Sequence, residues 1–235
     1  MIQIYNLQTN TLHELSLIGG MNFLAHLLLS GKNRKILVGN FIGDFVKGGN
    51  LEERFEPEIV QGIHLHRFID HFTDNHETPR ISRDRLRPKY RHYSGVIVDI
   101  FFDHFLARNW DDFHESLLPD FAEEVYQTVE SFHAILPEKV KYMLPFMIKG
   151  NWLVNYARME GIERALSGMA KRTTHESHME KSVQDLIQHY DAFQSEFYHF
   201  FPTLLAEVKQ KLEKAWIHLK DQVHSYKMHA YDPKG

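Results

Sequence analysis

The chain has no cysteine among its 235 residues. Disulfides, thiolate zinc sites and cysteine nucleophiles are therefore excluded together, and a chain without thiols suits a reducing compartment. Long apolar runs are also missing. The most apolar N-terminal segment, Leu15 to Leu29, is interrupted by Asn22 and His26, short of the ~18 apolar residues of a membrane span. No basic stretch precedes it, so no signal peptide is expected and the protein reads as cytoplasmic, with no membrane partner. There is no Walker loop, no Gly-x-Gly-x-x-Gly, no Gly-x-Ser-x-Gly and no His-Glu-x-x-His, which removes nucleotide cradles, the α/β-hydrolase elbow and zincin chemistry. Positive charge is not in excess: 27 Lys and Arg against 31 Asp and Glu leave a formal charge of −4. Binding to nucleic acid in general is not expected from such a balance.

What is abundant is histidine, with 17 residues. Hydrophobic residues at 43%, charged residues at 25% and a mean hydropathy of −0.40 describe a globular chain able to build one good core. Helical spacing of apolar residues dominates. Ile59, Ile63, Phe68 and Phe72 mark a helix over Pro57 to His76, with Pro57 in its first turn. Similar periods cover Asn22–Ser30, Arg34–Val46, Gly95–Ala107, Phe121–Ile135, Glu138–Met147 and Ile162–Met169. A last long segment, about His178 to Lys220, is expected to kink or break near Pro202. The expectation is one all-α domain of about eight to ten helices over residues 21–225. Residues 1–20 lean toward β-structure and read as a hairpin or flexible extension, and residues 226–235 as a tail.

Short polar side chains four apart inside apolar helices lie on one face, and four such stripes occur. They are Asn22 with His26, Asn40 with Asp44, His66 with Asp70 and Asp74, and Asp99 with Asp103, the last followed by His104. Bulky neighbours such as Phe23, Phe41, Phe45, Phe101 and Phe105 surround them. Burying carboxylates in that way is costly unless they are paired or coordinate a cation. Packed side by side, these helices could bring imidazole and oxygen donors onto one Mn²⁺, Fe²⁺, Mg²⁺ or Zn²⁺. A metal centre of that kind binds a phosphate oxygen and lowers the pKa of water, as phosphoester hydrolysis requires. Arg67, next to His66, could steady phosphoryl charge by a forked hydrogen bond. A purely structural His–Asp hydrogen bond is the competing explanation of each stripe. His64 points about 200° away from His66 and ranks in an outer tier with Asn22, Asn40, Asp74 and Asp99.

Two other patterns bear on function. Glu130-x-x-His133 and Glu196-x-x-His199 have the spacing used by di-iron bundles, with Glu160 or Glu163 as a further ligand. Charge is also uneven. Arg80, Arg83, Arg85, Arg87, Lys89 and Arg91 face a single acid, Asp84, whereas Asp111 to Glu138 holds eight acids and no Lys or Arg. A basic strip on a mildly acidic protein suits one acidic partner better than nucleic acid, with a solvated helix face as the alternative.

The stripes carry a resemblance. MNFLAHLLLS at Met21–Ser30, GNFIGDFVKG at Gly39–Gly48, GIHLHRFIDHFTDNH at Gly62–His76 and DIFFDHFLARNW at Asp99–Trp110 resemble the acyl carrier protein phosphodiesterase family, distantly related to HD-domain phosphohydrolases. Weaker similarity continues through Asn151–Arg172, so that about Met21 to Phe201 is covered. The resemblance implies an HD-like metal hydrolase that removes 4′-phosphopantetheine from holo-acyl carrier protein. It implies His26, Asp44, His66, Asp70 and Asp103 as metal ligands, with Mn²⁺ the leading cofactor and Mg²⁺ or Fe²⁺ next. Asp44, Arg67 and His104 are the catalytic candidates, with His104 or a metal-bound water as the proton donor to the leaving serine. The basic strip, Arg80 to Arg91, is the expected dock for the acidic helix beside that serine. A departure is TDNHETP at Thr73–Pro79, where relatives have proline sooner, and these helices carry no adjacent His-Asp doublet of the usual HD kind, Asp103-His104 being in reversed order. Two alternatives stay open: an HD-like phosphohydrolase acting on a small phosphoester, and a non-catalytic helical binding protein.

Overall fold

Dense helical periodicity with almost no alternating pattern leaves the chain few options, and the computed structural model is helical throughout its described residues, 23–229, with side chains described to residue 214. The 1–20 extension, Asn22 and the chain beyond His229 lie outside those residues. The helices are α1 (Phe23–Leu29), α2 (Arg34–Phe41), α3 (Pro57–Asn75), α4 (Glu77–Tyr90), α5 (Ser94–Arg108) and α6 (Leu118–Ser131). They continue as α7 (Glu138–Lys149), α8 (Trp152–Asn155), α9 (Met159–Ala170), α10 (Ser182–Gln188) and α11 (Tyr190–His229). Among the described residues there is no strand, and no helix is long and apolar enough to cross a membrane.

α5 is the axis of the core. Every residue from Ile100 to Ala107 is buried, so this helix is apolar on all sides and must be wrapped by others. α1, α4, α9 and α11 pack against it. From α11, Phe193, Phe197 and Phe200 meet Phe101, Phe102 and Phe105 at ring separations of 5.1–5.9 Å. Such edge, tilted and stacked contacts add to the burial that already drives the packing.

The crossing of α2 and α3 is tighter. A Cβ on Gly39 would lie 2.1 Å from the Ile59 carbonyl oxygen, and one on Gly62 would lie 2.2 Å from that of Ile36. Only two glycines let these backbones touch. That contact fixes α2 against α3, the helices that carry Asn40 and His66.

Of the kink or break expected near Pro202, the break does not occur there. α11 runs through Pro202, and the break falls at His189, whose φ of −119° and ψ of 28° end α10. Pro202 sits on the exposed side of α11 while Phe200, Phe201 and Leu204 are buried. A backbone carbonyl freed on the wet face can bond to water, which lowers the cost of a proline within a helix. The boundary placed at 225 also falls inside α11.

α4 was not expected as a helix from apolar spacing, because its exposed positions are almost all polar. It is held by ion pairs. The Arg85 guanidinium donates to both carboxylate oxygens of Glu196 on α11, at 2.8 and 2.5 Å, and Ser82 donates to the same carboxylate. Lys89 and the Tyr90 hydroxyl donate to Asp185 on α10, at 2.5 and 2.6 Å. The Glu196 carboxylate is 14% exposed, so its loss strands two donors in a poorly hydrated place. Glu196→Ala should destabilise the fold by about 2 kcal/mol and lower Tm by roughly 4–8 °C. Thermal melting followed by circular dichroism checks this; an unchanged Tm would mean the clamp is dispensable.

Candidate metal centre

Two backbone features aim His26 into the interior. The Asp103 carboxylate, on α5, accepts the N–H groups of Leu24 and Ala25, both at 2.9 Å, and so caps the open N-terminal turn of α1. His26 then lies 2% exposed. Its Nδ1 is 2.9 Å from Asn40 Oδ1. The Asn40 amide is oriented by donating to the His26 carbonyl at 2.7 Å and to Ser30 Oγ at 2.9 Å. Asn40 Oδ1 is therefore the acceptor and His26 Nδ1 carries the proton. In the neutral ring Nε2 is left as a bare lone pair pointing inward.

His66, on α3, meets that lone pair. Its ring lies 4.3 Å from the His26 ring, centre to centre, and is seated against Gly43, where a Cβ would come within 2.3 Å of it. Asp70, one turn on from His66, bridges the two rings: Oδ1 is 3.2 Å from His26 Nε2 and Oδ2 is 3.2 Å from His66 Nε2. Asp44, in the turn Gly43–Phe45, places Oδ1 3.1 Å from His66 Nε2. None of these contacts is aligned as a hydrogen bond, and both Nε2 atoms are buried without a hydrogen-bond partner. The ligand atoms of His26, His66 and Asp70 lie within 4.8 Å of one another.

These separations fit a cation. Donors at about 2.1 Å from a first-row divalent ion stand about 3 Å apart when adjacent in octahedral geometry. Two orphaned imidazole nitrogens facing shared carboxylates have the donor chemistry for it, and the Nδ1–H to Asn40 is the supporting contact that a ligating histidine usually makes. Without a cation the cluster must keep a proton: burial opposes charge on His66, but its close contacts with the Asp44 and Asp70 carboxylates win and raise it to about 9. Burial pushes Asp70 up, and the two histidines more than reverse this, holding it well below the usual carboxylate range.

The centre opens on its carboxylate side. Asp70 is 43% exposed, and a cleft of about 300 Å³ is lined by Asp44, Asp70, Thr73, Asp74, His92, Gly95, Val96 and Asp99. Burial, followed by repulsion from Asp70, Asp74 and Asp103, raises Asp99 well above the ordinary carboxylate value. At the rim Arg83 donates to the Thr73 carbonyl and to Asp74.

Of the candidates named from sequence, the structure brings His26, His66 and Asp70 together, with Asp44 against His66, Asn40 behind His26 and Asp74 and Asp99 on the cleft wall. Four others are placed elsewhere. Both Asp103 oxygens are taken up in capping α1, and burial holds that carboxyl up at about 7 despite the two N–H groups. His104 uses both ring nitrogens away from the cleft, Nδ1 toward the Tyr156 carbonyl at 2.8 Å and Nε2 toward the Tyr190 hydroxyl at 3.2 Å. Arg67 is exposed, donates to the Val46 carbonyl at 3.3 Å and is not part of the cleft lining. His64 is exposed on the far face of α3. In the basic strip, Arg85 pairs with Glu196, Lys89 with Asp185 and Arg83 with Asp74 at the cleft rim. The di-iron pattern also dissolves, because Glu130, His133, His199, Glu160 and Glu163 are exposed and Glu196 belongs to Arg85. Sequence reasoning missed His92 and Gly43; only the glycine left a trace, in GNFIGDF.

Fold and site define an all-α protein with a buried histidine–carboxylate centre opening into an acidic cleft. A family model described as acyl carrier protein phosphodiesterase matches residues 21–204. Proteins named acyl carrier protein phosphodiesterase from Escherichia coli strains SMS-3-5 / SECEC and K12, and from Escherichia coli O81 (strain ED1a), are each 38% identical over 196 residues, covering 81% of this chain and 99% of theirs. No solved structure matches the chain, and the kinship with HD-domain phosphohydrolases rests on the sequence resemblance. The chain belongs to the acyl carrier protein phosphodiesterase family. It is an enzyme, a phosphodiesterase.

The proton on His66 stabilises the metal-stripped fold fully below about pH 6.5, its unfolded value, and is lost as pH rises through about 9. Protein in a chelator should therefore melt progressively lower between those limits. A divalent cation competing for the same nitrogen should bind more tightly as pH rises over that window. Melting in EDTA and calorimetric Mn²⁺ titration across the window check both trends, and flat profiles would contradict them.

Proposed function

We propose that this enzyme hydrolyses the phosphodiester joining 4′-phosphopantetheine to the serine of a holo-acyl carrier protein, using a divalent cation held by His26, His66, Asp70 and Asp44. The observation that carries the reading is the pair of buried, partnerless Nε2 atoms turned on one shared carboxylate. The names of the relatives support the substrate. Two imidazoles with two carboxylates suit Mn²⁺ or Fe²⁺ better than Mg²⁺, which prefers all-oxygen surroundings. Such an ion supplies Lewis-acid charge to a phosphoryl oxygen and makes water more acidic.

The protein's own groups supply positioning and proton transfer. Asp44, at the boundary of the buried centre and the cleft, is placed to accept the proton of the attacking water. As water oxygen bonds to phosphorus, the bond from phosphorus to the serine oxygen breaks, and the serine must gain a proton. His104 cannot provide it, since both its nitrogens are engaged behind the core. Asp99 can: it lines the cleft, and its surroundings hold it in the acid form. Two carboxyls pushed in opposite directions, Asp70 down and Asp99 up, then divide ligand and acid roles between them. The products are apo-carrier protein with its serine hydroxyl restored and free 4′-phosphopantetheine.

Incubation with holo-acyl carrier protein and Mn²⁺, followed by mass spectrometry of the carrier, tests the reading. Wild type should remove the phosphopantetheine mass. Asp70→Asn should lose both Mn²⁺ affinity and activity, and Asp99→Asn should keep Mn²⁺ while kcat falls about 10²-fold. A metal-loaded, folded wild type that leaves the carrier mass unchanged would transfer the activity to a smaller phosphoester.

A further inference from the structure

A cavity of about 420 Å³, the size of a small-molecule site, lies between α8 and α9 and shares no lining residue with the acidic cleft. α9 shapes it by carrying two faces. Ile162, Leu166 and Met169, at helical spacing, are buried in the core. One position before each stand Gly161, Ala165 and Gly168, which turn a face almost without side chains toward the cavity. The two glycines are there for different reasons. A Cβ on Gly161 would lie 1.9 Å from the Asn155 carbonyl oxygen, so the approach of α8 to α9 demands it. A Cβ on Gly168 would meet one atom, Arg172 Nη2 at 3.9 Å, and Gly168 sits inside the regular helix. Glycine in a helix costs stability relative to alanine. No close approach requires that cost at position 168, and the effect of the missing side chain is to keep the cavity open.

The walls are cationic and aromatic. Arg164 and Arg172 both line the cavity and no carboxylate does, in a chain whose formal charge is −4. Burial lowers Arg172 from its ordinary value and Tyr142 offsets part of that, so the guanidinium stays charged. On the α8 side the Trp152 indole is half-buried against Gly150, where a Cβ would fall 2.7 Å from Nε1. Two guanidiniums with no competing carboxylate suit a phosphate, which they hold through forked N–H pairs. An indole offers a face on which a flat ring stacks. The place is apart from the metal centre. α5 presents Asp99 to the cleft and, five residues on and so about 140° around the helix, His104 to the Tyr156 carbonyl behind this cavity.

We infer that the cavity between α8 and α9 is a second binding site, for a phosphate ester of a flat aromatic ring of the kind and size of a nucleoside monophosphate. Arg164 and Arg172 take the phosphate, the ring lies against Trp152, and the bare face at Ala165 and Gly168 gives it room. Both parts of the ligand are needed: the guanidiniums select the anion, and the indole with the small-residue floor selects a flat body attached to it.

Calorimetric titration of the full chain with adenosine monophosphate, adenosine and inorganic phosphate tests the site. Adenosine monophosphate should bind once per chain, and adenosine and phosphate should each bind about tenfold more weakly or worse. Arg164→Glu, at an exposed position on α9, should weaken adenosine monophosphate about tenfold. Gly168→Leu fills the cavity and puts a good helix former in place of a glycine, so binding should vanish while Tm holds or rises. Asp70→Asn, in the metal centre, should bind adenosine monophosphate as wild type does. No binding of adenosine monophosphate to wild type overturns the inference, as does an affinity for phosphate alone equal to it. Unchanged affinity in Arg164→Glu does so too, independently of how well the leucine variant folds. Binding that survives in a folded Gly168→Leu, or that disappears in Asp70→Asn, would move the ligand to the metal centre and equally overturn it.

Discussion

Two imidazole lone pairs and a carboxylate cannot share a few ångströms of protein interior unless positive charge lies among them. The Asn40 side chain creates this condition: its amide is fixed by Ser30 and the His26 carbonyl, so the proton of His26 is confined to Nδ1. Asp70 then faces the Nε2 lone pair of His26 with Oδ1 at 3.2 Å and His66 Nε2 with Oδ2 at 3.2 Å. A proton on His66 can meet the requirement in part, and a divalent cation can meet it for all four donors together. The raised His66, the depressed Asp70 and the orphaned Nε2 atoms are three expressions of the same unmet charge.

Holding these groups in place is the main task of the first half of the chain. Gly39 and Gly62 let α2 and α3 touch at backbone distance, and Gly43 leaves room for the His66 ring. Asp103 supports the opposite side by capping α1 from the core of α5. A buried carboxyl in that role costs desolvation, offset by two backbone N–H groups that would otherwise lack acceptors. The second half supplies the wall, with the phenylalanines of α11 closing over α5 and Glu196 and Asp185 fastening α4. The acidic cleft is consequently framed on one side by a helix whose inner cations are committed to structure and whose outer cations are not.

Much of this was legible in the sequence, within a definite limit. Periodicity recovers neighbours on one helix, so His66 with Asp70 and the whole of α5 could be read directly. It also picks out Asn40 and Asp44, although the Gly43–Phe45 turn, not a continued helix, presents Asp44 to His66. Contacts between helices are another matter. Asp103 has the same surroundings in sequence as a ligand, and only the approach of α1 makes it a cap. His104 stands beside it, yet turns toward Tyr156 and Tyr190. The basic strip announces its charge but not its partners, which lie roughly a hundred positions along the chain at Asp185 and Glu196. Pro202 misled for a local reason: a proline on the wet face of a helix buried by phenylalanines on its other face is carried by that packing.

The central claim, that four side chains from α1, α3 and the Gly43–Phe45 turn share one divalent cation, is tested most directly by anomalous diffraction from crystals grown with Mn²⁺. The account predicts a single strong peak among His26 Nε2, His66 Nε2, Asp70 and Asp44, with Asp103 and His104 outside its coordination sphere. A peak centred elsewhere, or Mn²⁺-saturated crystals in which His66 Nε2 keeps its contacts with both carboxylates and no peak stands between them, would contradict it.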